Sequence, residues 1–200
     1  MKPCEQEIRF IIETISKLVE INPDDLMSIS DCFESRTINK SQFLLKEGEV
    51  CDFWGFIYQG IVRSYTPNDR GEEYTNGFIM ENDFICQFLS FQSRKPSSVN
   101  VHALEDTKLV FLSHKELQKV YSRFPIFEKF ARKLYEDRFA QAKAQMLFRV
   151  QLSATDRYLY LLEKRPSLIQ RVPLKYLASY LNITDSTLSR VRRKISHLPQ

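Results

Sequence analysis

Apolar residues recur every three or four positions near the start of the chain: Ile8, Ile11, Ile12, Ile15, Leu18 and Val19 share one helical face. Asn22-Pro23-Asp24-Asp25 interrupts that face and offers a fresh helix start, so residues 3–35 are predicted to be helical in two pieces. From Arg36 the period changes. "FWGFIYQGIVRSYT" and "EEYTNGFIM" are rich in β-branched and aromatic residues, and turn signals separate them at Glu47-Gly48-Glu49, Gln59-Gly60 and Pro67-Asn68-Asp69-Arg70-Gly71. Further strands are predicted at 98–104 and 107–112. Short strands at such even spacing, with glycine at the corners, predict an antiparallel sandwich or barrel.

A second change of period follows Leu112. Ser113 can cap a short helix, and Pro125 can start a long one running to about Val150, with Phe127, Phe130, Ala131, Leu134, Ala142, Met146 and Val150 near one face. A long helix at the edge of a small β domain cannot bury that stripe alone, so a second copy of itself is the expected cover, with the chain's own barrel as the alternative. Glycine is absent after Gly77, which fits an all-helical C-terminal third.

That third has a pattern of its own. "SATDRYLYLLEKR" is an amphipathic helix from Ser153 to Arg165, and Pro173 suits the first position of a short helix ending at Leu181. Asn182 tolerates a left-handed backbone, and Thr184 is a good N-cap for a second helix whose Asp185 favours the positive helix end. Leu177 and Leu181 then face inward from the first helix and Leu188 and Val191 from the second. Ile183 fills the turn, and Ala178 is small where the helices cross. This is a helix-turn-helix whose second helix exposes Ser186, Thr187, Ser189, Arg190 and Arg193. Arg190 is long enough to reach the O6 and N7 atoms of guanine in a major groove.

Charge sharpens this picture. From Ser153 to Gln200 nine Lys or Arg face three acids, a net +6 in a chain whose total is +4. Clustered cations gain affinity for a polyanion by releasing condensed counterions. With 43% hydrophobic and 27% charged residues the composition is that of a soluble protein, and no apolar run approaches a membrane span. MKPCEQEIRF is too acidic and too broken for a secretory signal, so a cytoplasmic location is expected. Cys4, Cys32, Cys51 and Cys86 are too widely spaced for a zinc or cluster motif and are expected to be free thiols.

With these residues in place, the chain resembles the Crp/Fnr family of bacterial transcription regulators over nearly its whole length. "LLKEGEVCDFWGFIYQGIVRSY" is similar to the family's β-roll, with Gly48 and Gly60 at its turn glycines, and "LASYLNITDSTLSRVRRK" to its helix-turn-helix, including Leu188-Ser189-Arg190. The resemblance implies an α+β fold: a jelly-roll-like antiparallel β-roll of the cyclic-nucleotide-binding type with N-terminal helices (1–124), a dimerisation helix (125–152) and an all-α helix-turn-helix domain (153–200). The chain ends at Gln200, so a full β-hairpin wing is not expected.

Three departures from the family pattern bear on function. Cys86-Gln87 stands where the family's Gly-Glu meets the sugar of a cyclic nucleotide, and Ser97-Ser98 where its Arg-Ser meets the phosphate. A serine cannot supply the charge-assisted bonds of an arginine. The candidate effector pocket of Cys86, Gln87, Phe88, Arg94, Ser97 and Ser98 is therefore not expected to bind cyclic AMP, although Arg94 and Lys95 lie close by. The start offers Cys4 alone, and the body His102 and His114, so no cluster, haem or metal ligand set is expected and no cofactor is assigned. Ser186 replaces the glutamate with which many relatives read cytosine, so the target site should differ from theirs.

These readings predict a homodimer binding an inverted repeat in double-stranded DNA, with RNA polymerase as a potential partner and an effector of unknown chemistry. Ser189, Arg190 and Arg193 are the candidates for base or adjacent phosphate contact; Lys175, Tyr176, Thr184, Thr187 and Arg192 should mainly position the backbone. The alternative is a sensor or adaptor whose helix-turn-helix end contacts protein. A cupin-type enzyme needs two or three histidines with a carboxylate on one metal, and the two body histidines have no third; no catalytic residues are assigned.

Overall fold

The computed structural model describes residues 1–196. In chain order the elements are α1 (Glu5–Ser16), α2 (Pro23–Ser30), β1 (Glu34–Ile38), β2 (Phe43–Leu45), β3 (Phe53–Gln59), β4 (Val62–Pro67), β5 (Glu73–Ile79), β6 (Phe84–Ile85), α3 (Phe88–Ser93), β7 (Asn100–Ala103), β8 (Thr107–Ser113), α4 (His114–Arg123), α5 (Pro125–Gln151), α6 (Ala154–Lys164), α7 (Pro166–Arg171), α8 (Leu174–Tyr180) and α9 (Asp185–Ser196). The strands form two four-stranded sheets, ordered β1-β8-β3-β6 and β2-β7-β4-β5. The predicted antiparallel roll is present.

Two compact units divide the chain: Met1–Ser64 with Phe78–Arg138, and Tyr65–Gly77 with Phe139–Gln200. Boundaries were expected at 124 and 152, whereas the compact units part inside α5, and the tip of the β4–β5 hairpin belongs with the C-terminal helices. The physical reason lies in burial along α5. Phe127, Phe130, Ala131 and Leu134 are buried in the first unit, where Trp54 meets the rings of Phe127 and Phe130 at 5.6 and 6.1 Å and donates from Nε1 to Tyr135 Oη at 2.8 Å. Ala142, Met146 and Val150, expected on the same stripe, are exposed. The stripe thus has two halves: the chain's own roll covers the first, and the second is open.

Local chemistry sets the turns. Asn22 accepts from the Asp24 amide at 3.0 Å and starts α2 with Pro23 in the first turn, and Ser113 accepts from the Glu116 amide at 3.2 Å to start α4. Gly60 has φ +105°, and a Cβ there would lie 2.5 Å from Thr107 Oγ1 and 2.7 Å from Thr107 Cα, so no other residue fits the β3–β4 corner unstrained.

One buried carboxylate ties α1 to the roll. Glu7 accepts from Ser35 Oγ at 2.7 Å and from the Cys4 amide at 2.8 Å. Burial works to raise its pKa, but these hydrogen bonds win and hold the carboxyl below its ordinary range. A folded pKa below the unfolded one gives stability that is complete above about pH 4.3 and lost as pH falls through the folded value. Glu7→Ala is expected to cost about 1 to 3 kcal/mol at neutral pH, and Glu7→Gln to flatten the acid limb of the urea midpoint measured against pH.

Candidate nucleic-acid interface

The C-terminal unit builds its own small core. Tyr158 and Leu161 of α6, Leu168 of α7, Val172, Leu177, Ala178 and Tyr180 of α8, Leu181, and Leu188 and Val191 of α9 are all buried. Ala178 is 1% exposed, as the close crossing of two helices requires, and Asn182 takes the left-handed conformation at φ 53°. Ile183 is half-buried, and its amide reaches the Ala178 carbonyl at 3.0 Å to close the turn. Thr184 caps α9, its Oγ1 accepting from the Thr187 amide at 3.2 Å. One correction applies. Pro173 is not the first residue of α8 but its N-cap, with ψ 139°, and the helix ends one residue before Leu181.

This packing decides what α9 shows to solvent. With Leu188 and Val191 buried, Ser186, Ser189, Arg190, Arg192 and Arg193 are exposed and Thr187 is half-buried. The Thr184 hydroxyl lies 3.0 Å from both the Ser186 and the Thr187 hydroxyl, and Arg190 Nη2 donates to Thr187 Oγ1 at 3.3 Å. Four candidate DNA-contact residues, Thr184, Ser186, Thr187 and Arg190, therefore form one hydrogen-bonded row at the start of α9. Ser189, Arg192 and Arg193 flank a groove with Tyr158 and Leu162 of α6. Lys175 is exposed and Tyr176 half-buried on α8. The expected absence of a wing falls on residues 197–200, outside the described residues.

Three residues that the sequence did not single out hold this unit together. Arg157 donates to the carbonyls of Leu181 at 2.8 Å, Leu152 at 2.8 Å and Arg149 at 3.2 Å, joining the ends of α5 and α8. Ser179 Oγ accepts from the Thr75 amide at 2.9 Å and donates to the Glu73 carbonyl at 2.8 Å, and Arg149 donates to the Asn76 carbonyl at 2.9 Å. In the sequence Arg157 was one more basic residue, and Ser179 one more small polar position. Their partners lie up to 106 residues away, beyond any local pattern.

In the roll, Gln87, Arg94 and Ser97 of the candidate effector pocket are engaged within the chain. Gln87 accepts from the Ser90 amide at 2.7 Å and caps α3; Ser97 Oγ donates to the Val99 carbonyl and accepts from its amide, both at 2.9 Å. Arg94, with φ 57°, pairs with Asp52 at 2.7 Å and donates to the Cys51 carbonyl at 3.0 Å. Cys86 is half-buried, and Phe88 and Ser98 are exposed. The aromatics around them pack: Phe84 on Trp54 and Phe56 at 5.2 and 5.7 Å, Phe88 on Tyr135 at 5.0 Å, and Phe91 on His114 at 5.1 Å.

Residues 35–124 match the cyclic nucleotide-binding domain family. The chain is 23% identical to an anaerobic regulatory protein of Haemophilus influenzae over 190 residues, covering 89% of this chain and 73% of that protein. It is also 22% identical to the transcriptional activator protein Anr of Pseudomonas protegens over 108 residues, covering 54% of this chain but only 43% of that relative. Among solved structures, a Crp/Fnr-family protein from Eubacterium rectale superposes with TM-score 0.66 at 17% identity, over 88% of this chain and 84% of that one. Residues 35–124 thus resemble a cyclic nucleotide-binding domain, and the chain is similar to regulators of the Crp/Fnr family. No helix among the described residues is long and apolar enough to cross a membrane.

Proposed function

We propose that this protein is a homodimeric transcription regulator that binds an inverted-repeat operator through α9 and whose roll does not take cyclic AMP. The observation that carries the reading is the α8–Asn182–α9 unit: its apolar side is buried, and the hydroxyl row with Arg190 stands on the outer side of α9. In a symmetric dimer two such helices enter successive major grooves about 34 Å apart. Ser189, Arg190 and Arg193 contact bases or the adjacent phosphates; Lys175, Tyr176, Thr184, Thr187 and Arg192 mainly fix the backbone register. Against cyclic AMP stand the serines at 97 and 98 and the commitment of Arg94 to Asp52. A cytoplasmic location accompanies this role, and RNA polymerase is the further partner that activation requires. The relatives named as regulators support a non-enzymatic function.

The experiment is selection of bound duplexes from a random pool with the purified full chain, followed by binding at graded salt. An inverted repeat is expected. With roughly three phosphate contacts per protomer, the slope of log affinity against log salt should be about −5. A weak, salt-insensitive association would favour the adaptor reading, in which this helix pair contacts protein.

A further inference from the structure

Two helices of the C-terminal unit end at one guanidinium. Arg157 of α6 donates from Nη1 to the carbonyls of Arg149 and Leu152, at 3.2 and 2.8 Å, and from Nη2 to the carbonyl of Leu181 at 2.8 Å. Arg149 lies in the last turn of α5 and Leu152 directly after that helix; Leu181 is the C-cap of α8, one residue before the left-handed Asn182. The last carbonyls of a helix have no partner within it and carry the negative end of its dipole. A guanidinium is always charged and holds its donors in a rigid fork, so one side chain satisfies both helix ends at a fixed separation.

The corner that this fork spans is short. Only Leu152 and Ser153 separate α5 from α6, with no glycine between them. Ser153 is engaged in capping α6, accepting from the Asp156 amide at 3.2 Å. Two further contacts brace the same corner: the Phe148 ring of α5 lies 4.9 Å from that of Tyr160 in α6, and the Arg149 guanidinium stands 5.4 Å over the Tyr180 ring of α8. Half-buried and bonded to three backbone carbonyls, Arg157 is engaged inside the unit.

We infer that Arg157 is a positioning residue that, through its fork, fixes the spacing between the two half-sites this protein recognises. The inference rests on the homodimer reading, in which the exposed stripe of α5 forms the seam and α9 meets DNA. On that reading, every joint between the seam and the recognition helix sets where α9 stands relative to its symmetry mate. The path from seam to α9 passes the corner after α5, and Arg157 bonds to both sides of it. One added base pair moves a half-site about 3.4 Å along and about 34° around the duplex. A dimer with stiff joints therefore accepts one spacing, and a dimer with loose joints several. Loss of the fork should loosen the corner without touching the residues of α9 that face bases.

The test uses the purified full chain and duplexes that carry the selected half-site as an inverted repeat with spacers of varied length. The parent is expected to bind one spacing about 10²-fold more tightly than spacings one base pair longer or shorter, because the second half-site then no longer adds to the first. Arg157→Met keeps an apolar stem and removes the donors. It should bind three adjacent spacings within about 10-fold of one another, while affinity and base preference at a single half-site stay parental. Arg157→Lys separates a fork from a charge, and it stands in if the methionine variant does not fold. One ammonium nitrogen cannot take the places of both Nη atoms, so its spacing preference should widen as well, with a thermal transition nearer the parent's. A folded Arg157→Met or Arg157→Lys with the parental spacing preference would overturn the inference. So would loss of base preference at a single half-site, since Arg157 would then be maintaining the recognition helix itself. If the parent selects no inverted repeat, the regulator reading falls and the inference with it; if parent and variants all select the same single spacing, only the inference falls.

Discussion

Replacing Met146 and Val150 with glutamate is expected to turn the protein from a dimer into a monomer and to weaken operator binding by about 10²- to 10⁴-fold. The argument starts from exposure. Phe139 is 67% exposed, Met146 62%, Leu147 54% and Val150 77%, on a helix whose earlier apolar residues are buried. Positions 139, 142, 146 and 150 advance by three, four and four residues, close to the 3.5-residue repeat of a coiled-coil seam. An uncovered stripe of this kind marks an interaction surface, and in the proposed homodimer a second copy of the same helix would cover it with its own stripe across a two-fold axis. Glutamates at 146 and 150 would face their symmetry mates there, so like charges would meet in a partly dry seam. Each protomer would keep its reading helix but lose the gain from binding both half-sites at once. Light scattering after size exclusion would report the mass, and fluorescence anisotropy the affinity. Because both side chains are exposed, thermal unfolding of the roll should be unchanged. A variant that stays dimeric with parental affinity would show that dimerisation lies elsewhere.

The helix-turn-helix was legible in the sequence because its determinants are local. The left-handed Asn182, the small Ala178, the capping Thr184 and four inward apolar positions all lie within fifteen residues, and each appears as expected. The positions of β3, β4, β5, β7 and β8 were legible for a similar reason, from alternation and turn residues, whereas β1, β2 and β6 were not, and β1 begins at Glu34 inside the stretch expected to be helical. Strand partners were not. The pairing of β1 with β8 joins residues 69 to 77 positions apart, and nothing local in Glu34–Ile38 names its neighbour. Two six-residue helices, α3 and α7, were also missed. The first starts on an unusual cap, Gln87, and neither is long enough to show a period. The stripe on α5 was found, but periodicity could not show where one cover ends and another begins. Arg94 illustrates the limit at the pocket. Its charge was visible, but its pairing with Asp52, 42 residues earlier, was not.

Arg190→Ala is the second large effect, and it separates reading from mere attraction. Arg190 stands on the outer side of α9, with one guanidinium nitrogen already 3.3 Å from Thr187 Oγ1. That contact steadies the side chain near the helix start and leaves further donors for the O6 and N7 of a guanine. Loss of a bidentate base contact costs about 1 to 3 kcal/mol at each half-site, and a symmetric dimer loses it twice. The selected operator should therefore be bound about 30- to 10⁴-fold more weakly, with preference at one G·C pair per half-site abolished and the salt slope nearly unchanged. Arg192→Ala should behave differently. Arg192, proposed to hold a phosphate, should weaken all duplexes alike when lost, and the salt slope should fall by about 1 per protomer. If base preference survives in Arg190→Ala and is lost in Arg193→Ala, the reading residue is one helical turn further along the same face, and the recognition helix sits deeper in the groove than the hydroxyl row implies.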